Sequence, residues 1–102
     1  MFVRVATFEG GDTQRLTQFT EERRQSGELK LPQGVNRIMV LDGDRRLLLS
    51  FADSRDSLEK AEKHFASIGD QIPEELRGSR TSVDVYEVVL DEAVSGGGAA
   101  AL

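Results

Sequence analysis

Four short apolar runs alternate with two helical patterns in the order β-α-β-β-α-β. The runs are Phe2–Phe8, Val35–Leu41, Arg46–Phe51 and Val83–Leu90. Their β-branched and aromatic residues favour strands. Only the middle two are joined by a tight polar turn, Asp42-Gly43-Asp44-Arg45, and Asp-Gly is a strong hairpin signal. This order predicts an α+β fold in which a four-stranded antiparallel sheet carries two helices on one face.

The first predicted helix spans Thr13–Ser26. Asp12 precedes it and can act as the N-cap, because its carboxylate accepts a free amide of the first turn. Gly27 follows it and tolerates the left-handed conformation that ends many helices. The apolar stripe of this helix is thin, with only Leu16 and Phe19. We therefore expect it to be less firmly attached than the second helix.

The second predicted helix has a fuller apolar stripe. Asp53 is the predicted N-cap and Gly69 the predicted end. The stripe at helical spacing consists of Leu58, Ala61, Phe65 and Ile68. One further helical turn, Pro73–Arg77, is expected before the last strand, since proline is favoured at the start of a helix.

Length and composition restrict the possible functions. A chain of 102 residues predicts one domain, over residues 1–92, followed by a disordered Gly/Ala tail over residues 93–102. The net charge of −5 disfavours binding to nucleic acid. The absence of cysteine excludes disulfides and thiolate metal sites. No apolar run approaches the ~20 residues that cross a bilayer, so we expect no membrane segment. Residues Met1-Phe2-Val3-Arg4 lead directly into a strand, so we expect no signal peptide. The lack of cysteine is compatible with the cytoplasmic location that we expect.

Both faces of the predicted sheet are apolar. Strand one places Val3 and Val5 on one face and Phe2, Ala6 and Phe8 on the other. Two helices cover only one face, and an uncovered apolar face marks an interaction site. Burying ~400 Å² on each subunit would contribute about 10 kcal/mol per subunit before association costs. We therefore expect a homodimer that forms through the sheet face.

Three stretches carry a resemblance to a known family: Phe2–Gly10, the hairpin Val35–Phe51 with its Asp42-Gly43 turn, and Ser82–Val88. Together they resemble the dimeric α+β-barrel proteins of the antibiotic-biosynthesis-monooxygenase type, which have a ferredoxin-like fold. The resemblance covers about residues 1–91. It implies sheet-to-sheet pairing and a cavity in each subunit. Some members oxidise polycyclic aromatic substrates without a cofactor, and others degrade haem.

The haem-degrading branch resembles this chain least. That branch relies on an Asn in strand one, a Trp at the end of strand three and a His in the following helix. Here the first strand has no Asn, the chain has no Trp, and Phe51 stands roughly where the Trp would be. The resemblance therefore disfavours haem degradation, and we expect no cofactor.

Three residues are candidates for catalysis, each with a plain structural alternative. His64 is the sole histidine, and as a catalytic residue it would be a general base or an axial ligand. The structural alternative is a helix-surface or rim histidine without a role. Arg4 could hold a phenolate or enolate oxygen in the inter-sheet cavity. Its structural alternatives are an ion pair, with Asp84 or Glu87 as the possible partner, and an edge-exposed stem with its charged head in water. Tyr86 donates its hydroxyl to a substrate, or simply packs its ring.

A further set of apolar residues is the predicted lining of a ligand pocket in the inter-sheet cavity, namely Phe2, Phe8, Met39, Leu49 and Phe51. The alternative is that they fill the dimer core. No spacing of His, Asp and Glu indicates a metal site.

Two functional hypotheses follow. The first is a non-catalytic dimeric module that binds a small apolar ligand in the inter-sheet cavity. The alternative is a cofactor-independent monooxygenase-like enzyme that acts on an aromatic or polyketide-like substrate, with Arg4 and Tyr86 stabilising charge. A cavity into which Arg4 and Tyr86 converge would favour the enzyme, and a filled inter-sheet space would favour the module.

Overall fold

The chain forms four strands and three helices in a computed structural model that describes residues 1–28 and 30–93. The strands are β1 (Phe2–Glu9), β2 (Val35–Asp42), β3 (Arg46–Ala52) and β4 (Ser79–Glu87). The helices are α1 (Thr13–Gln25), α2 (Arg55–Asp70) and the single turn α3 (Glu74–Arg77). The predicted disordered tail, apart from residue 93, lies outside the described residues.

The strands form one antiparallel sheet in the order β2-β3-β1-β4. This order places the first and third strands at the centre and confirms the predicted ferredoxin-like α+β fold. The register pairs Phe8 of β1 with Arg46 on one side and Arg80 on the other. Side chains two residues apart share a face, so this register determines which residues meet above the sheet.

Helix α2 supplies the core on one face of the sheet. Its Leu58 and Ala61 are buried against Val35 and Ala52. Four partly buried residues pack around this cluster: Phe2, Ile38, Phe65 and Val85. The core therefore lies under α2, as the stripe of that helix predicts.

Helix α1 is attached differently. Asp12 is its N-cap, as predicted, and its carboxylate accepts from the Arg15 amide at 3.1 Å. The backbone N–H of Asp12 donates to the Leu76 carbonyl at 3.0 Å, which fastens the start of the helix to α3. No residue of α1 is buried. The loose attachment expected from its thin stripe is confirmed.

Helix α2 begins and ends one residue later than predicted. Its N-cap is Ser54 rather than Asp53, because the Ser54 hydroxyl accepts the Ser57 amide at 3.1 Å. The Asp53 carboxylate instead accepts from the Asn36 side chain at 3.4 Å. At the other end the helix passes through Gly69 to Asp70, since Gly69 does not adopt a left-handed conformation.

Strand β4 lies earlier in the chain than predicted. It runs over Ser79–Glu87 rather than Val83–Leu90. Gly78, with φ +70°, ends α3 and lets the strand start at once. At the far end Glu87 pairs with Phe2, the first residue of β1. The chain beyond Val88 therefore has no strand to pair with, and Val89 is 89% exposed.

Candidate functional site

A cleft of about 660 Å³ opens between α1, α2 and the face of the sheet that the helices cover. It exists because α1 buries no residue against the sheet. Most of its lining is apolar and comes from the strands, both helices and the segment before α3, including Phe8, Leu16, Ile38, Val40, Leu48, Phe65, Ile68 and Ile72. The cleft is therefore a candidate binding site for a small molecule.

The floor of the cleft follows from the strand register. Leu48 lies between Ala6 of β1 and Val40 of β2, which makes the centre of the floor apolar. Two residues further along β1, towards its C-terminal end, Phe8 lies between Arg46 of β3 and Arg80 of β4. Charged and apolar side chains therefore share one face, with the arginines at the edge of an apolar centre.

Arg4 is buried on the same face, with 2% exposure. Its Nε and Nη2 atoms each lie 2.8 Å from Oε2 of Glu62 on α2. Its guanidinium stacks 4.6 Å from the centre of the Phe65 ring. Burial lowers the pKa of Arg4, and the Glu62 carboxylate opposes that effect. The ion pair ties β1 to α2 and holds a positive group at the wall of the cleft.

Two predictions about Arg4 are wrong. It faces the helices rather than an inter-sheet cavity, and its partner is Glu62 rather than Asp84 or Glu87. Asp84 pairs with Val5, on the opposite face of the sheet. Helical spacing in the sequence could have indicated Glu62 as a partner. Glu62 lies four residues after Leu58 and therefore shares the buried side of α2.

Arg46 is a second buried cation, 5% exposed, and it is not among the residues predicted from the sequence. It donates from Nη2 to the Arg77 carbonyl and from Nη1 to the Thr13 hydroxyl at 3.4 Å. Its guanidinium lies 5.2 Å from the centre of the Phe8 ring. Burial lowers the pKa of Arg46, and the nearby Asp42 opposes this. Within the described ranges no carboxylate lies within 4.0 Å of its guanidinium.

Positive side chains outnumber negative ones in the lining. The basic residues are Arg4, Arg24, Lys30, Arg46, Arg77 and Arg80. The acidic ones are Glu21 and Asp70. Glu21 pairs with Arg24, and that contact lowers the pKa of the Glu21 carboxyl. The cleft is thus a positive region in a chain whose net charge is −5.

The five predicted pocket residues do not line one cavity. Phe2 and Phe8 lie on the helix-covered face, and Phe8 lines the cleft. Met39, Leu49 and Phe51 alternate with the cleft residues of β2 and β3, so they lie on the opposite face. The structure therefore separates the predicted set into two groups.

Tyr86 and His64 lie away from the cleft. Tyr86 pairs with Val3 on the uncovered face of the sheet and is 55% exposed, so it does not converge with Arg4. His64 is exposed on α2, and its Nε2 lies 2.9 Å from the Lys30 carbonyl. That contact fastens the connection between α1 and β2 to α2.

Residues 1–28 and 30–93 contain neither a metal-binding cluster nor a membrane-spanning helix. No cluster of three or more His, Cys, Asp or Glu side chains in that part is arranged to hold a metal ion. None of the helices described there has both the length and the apolar character needed to span a bilayer.

Comparison with known proteins supports the fold. No protein-family profile and no curated protein matches the sequence. Among solved structures, the chain is similar to the crystal structure of an MhuD R26S mutant with two manganese protoporphyrin IX molecules bound per active site. The two chains are 14% identical with a TM-score of 0.55, over 92% of this chain and 100% of that one. This likeness shows a shared fold, and membership of the monooxygenase-type family stays a prediction.

Loss of the Glu62 carboxylate should destabilise the protein. In Glu62→Ala the buried Arg4 guanidinium loses its counter-ion, and Arg80 loses its partner as well. Because Glu62 is itself partly exposed, we expect a loss of about 1–3 kcal/mol in the free energy of unfolding, measured by urea titration.

The matched control is Glu59→Ala, an exposed acidic residue on the same helix. It should change stability by no more than about 0.5 kcal/mol. Equal effects of the two substitutions would show that the Arg4–Glu62 pair has no special role.

Proposed function

We propose that the protein is a non-catalytic module that binds a small apolar or aromatic ligand in the cleft between the sheet, α1 and α2. The observation that carries this proposal is the size and lining of the cleft. Its volume of about 660 Å³ lies within the roughly 300–1,000 Å³ of small-molecule sites. Most of the surface that lines it is apolar, and charged side chains lie around this apolar surface.

The partial exposure of the apolar residues that line the cleft supplies the driving force for ligand binding. Leu16, Leu48 and Phe65 are only partly buried. A ligand that covers them removes apolar surface from water, and each 100 Å² covered contributes about 2.5 kcal/mol. Helix α1 thus leaves apolar surface of the cleft uncovered, and a ligand can cover that surface.

The related fold gives independent support. The MhuD variant holds two manganese protoporphyrin IX molecules per active site. The fold that the two chains share can therefore carry a site for a large aromatic ligand. For this chain we propose a cleft between helices and sheet in place of the inter-sheet cavity expected from the sequence.

A monooxygenase-like enzyme remains the alternative function, acting on an aromatic or polyketide-like substrate. The observation in its favour is the pair of buried guanidinium groups, Arg4 and Arg46, which can stabilise an enolate or phenolate oxygen. Against it, Tyr86 and His64 lie outside the cleft. Uptake of dioxygen with a phenolic substrate bound would distinguish the enzyme from the module.

Self-association through the other face of the sheet is also part of the proposal. Val5, Leu47, Leu49 and Phe51 are partly exposed there, and Leu41 is 44% exposed. A contiguous apolar face of this kind is a typical interaction surface. The occupant we propose is the same face of a second copy, which leaves the cleft of each subunit free for its ligand.

Filling the cleft should abolish ligand binding. Val40 lines the cleft and is 51% exposed, so Val40→Trp places an indole in the space without disturbing the core. For the neutral fluorescent probe phenylnaphthylamine we expect the dissociation constant to rise at least about tenfold. Fluorescence titration measures this directly.

The matched control is Leu41→Trp, one residue along the same strand and on the opposite face. It should leave the affinity of the probe unchanged. If Leu41→Trp weakens binding and Val40→Trp does not, the ligand site is on the uncovered face and the proposal is wrong.

The dimer is tested by sedimentation equilibrium. We expect a mass of twice the 11.2 kDa chain. Phe51→Asp puts a carboxylate in the apolar face and should lower the mass to that of one chain or cause aggregation, since a charge buried in an interface is costly. Gln18→Asp, on exposed α1, should keep the mass of the unaltered protein. A monomer at high concentration before any substitution would contradict this part of the proposal.

A further inference from the structure

We propose that the ligand is an apolar acid whose oxyanion group binds between Arg46 and Arg80, while its apolar body lies over Leu48 and Val40. This inference rests on the proposed function, because it concerns the same cleft. It adds the chemical class of the ligand, a small aromatic or aliphatic body with one carboxylate or similar group.

The register of the sheet places the two arginines on either side of one ring. Phe8 pairs with Arg46 of β3 and with Arg80 of β4, and all three side chains line the cleft. Neighbouring strands lie about 4.8 Å apart, so the two arginine Cα atoms are separated by about 10 Å. Two long side chains that start at this distance can both reach an anion held above the ring of Phe8.

No carboxylate of the described part of the chain lies within 4.0 Å of the Arg46 guanidinium. Arg46 is buried, and the two groups to which it donates, the Arg77 carbonyl and the Thr13 hydroxyl, are uncharged. Asp42 lies opposite Arg46 in the register, but its Oδ1 accepts from the Thr13 hydroxyl at 3.1 Å. A buried cation without a carboxylate in direct contact is costly, and the oxyanion of a ligand would offset that cost.

Arg80 contributes further positive charge. Its Nη1 lies 2.9 Å from Oε1 of Glu62, the carboxylate that Arg4 also uses. One carboxylate therefore serves two guanidinium groups, and one positive charge remains uncompensated. Arg77 adds another cation to the lining, with its donors directed to the Ile72 and Gly78 carbonyls. This end of the cleft is thus suited to an anion.

Apolar surface continues from the arginines along the floor. Leu48 and Ala6 form the next row, and Ile38 and Phe65 lie beyond. A ligand without an anionic group would leave the arginines unused, and a fully polar anion would leave the floor exposed. An apolar acid satisfies both parts of the site.

Two fluorescent probes with the same aromatic skeleton test the inference. Anilinonaphthalene sulfonate carries one oxyanion group, and phenylnaphthylamine carries none. We expect the full chain to bind the sulfonate about tenfold more tightly than the neutral probe, since charge-assisted hydrogen bonds to arginine are strong. Added salt should reduce this preference.

The variant Arg80→Gln should lower the affinity for the sulfonate about threefold to tenfold and leave the neutral probe unchanged. Arg80 is suited to this test because its side chain is 43% exposed and Glu62 keeps Arg4 as a partner. The control Arg45→Gln removes the same charge from the hairpin, where Arg45 pairs with Glu9 outside the cleft. It should leave the affinity for both probes unchanged.

Equal affinities for the two probes, with no effect of Arg80→Gln, would overturn this inference and leave the proposed cleft intact. An equal effect of Arg45→Gln and Arg80→Gln would also overturn it, because overall charge would then explain the preference. Failure of both probes to bind would overturn the proposed function as well.

Discussion

The unequal packing of the two long helices is the constraint on which the rest of the structure depends. Leu58 and Ala61 anchor α2 in the core of the sheet. In contrast, α1 buries no residue and is fastened through Asp12 to α3. A sheet with one close helix and one distant helix leaves a cleft between them. The shape of the candidate site therefore follows from the sparse apolar stripe of a single helix.

The pairing of arginines with phenylalanines makes this cleft both apolar and positive. Each of the five phenylalanine rings has a guanidinium carbon between 4.6 and 5.8 Å from its centre. Arginine packs its stem and its flat head against apolar surface while it keeps its charge. In the cleft, Arg4 stacks on Phe65 and Arg46 on Phe8. These stacked pairs place positive charge next to apolar surface in an acidic protein.

The order of elements was predictable because strand and helix periods differ and because Asp42-Gly43 identifies the hairpin. The face of the sheet that the helices cover was not predictable, since β1 is apolar on both sides. Val3 and Val5 lie on one side of β1, and Phe2 and Ala6 lie on the other. Alternation separates the two faces of a strand but does not say which one the helices cover. That ambiguity put Arg4 on the wrong side of the sheet. The partner of Arg4 is 58 residues away in sequence. Helical spacing places Glu62 on the buried side of α2, but it does not say which strand residue Glu62 meets.

One measurement distinguishes a cleft between helices and sheet from a site on the uncovered face. It is a methyl NMR titration of the protein with phenylnaphthylamine. We expect the signals of Leu16, Leu48 and Ile72 to shift, and those of Met39 and Leu49 on the opposite face to remain in place. Shifts confined to Met39 and Leu49 would contradict the account.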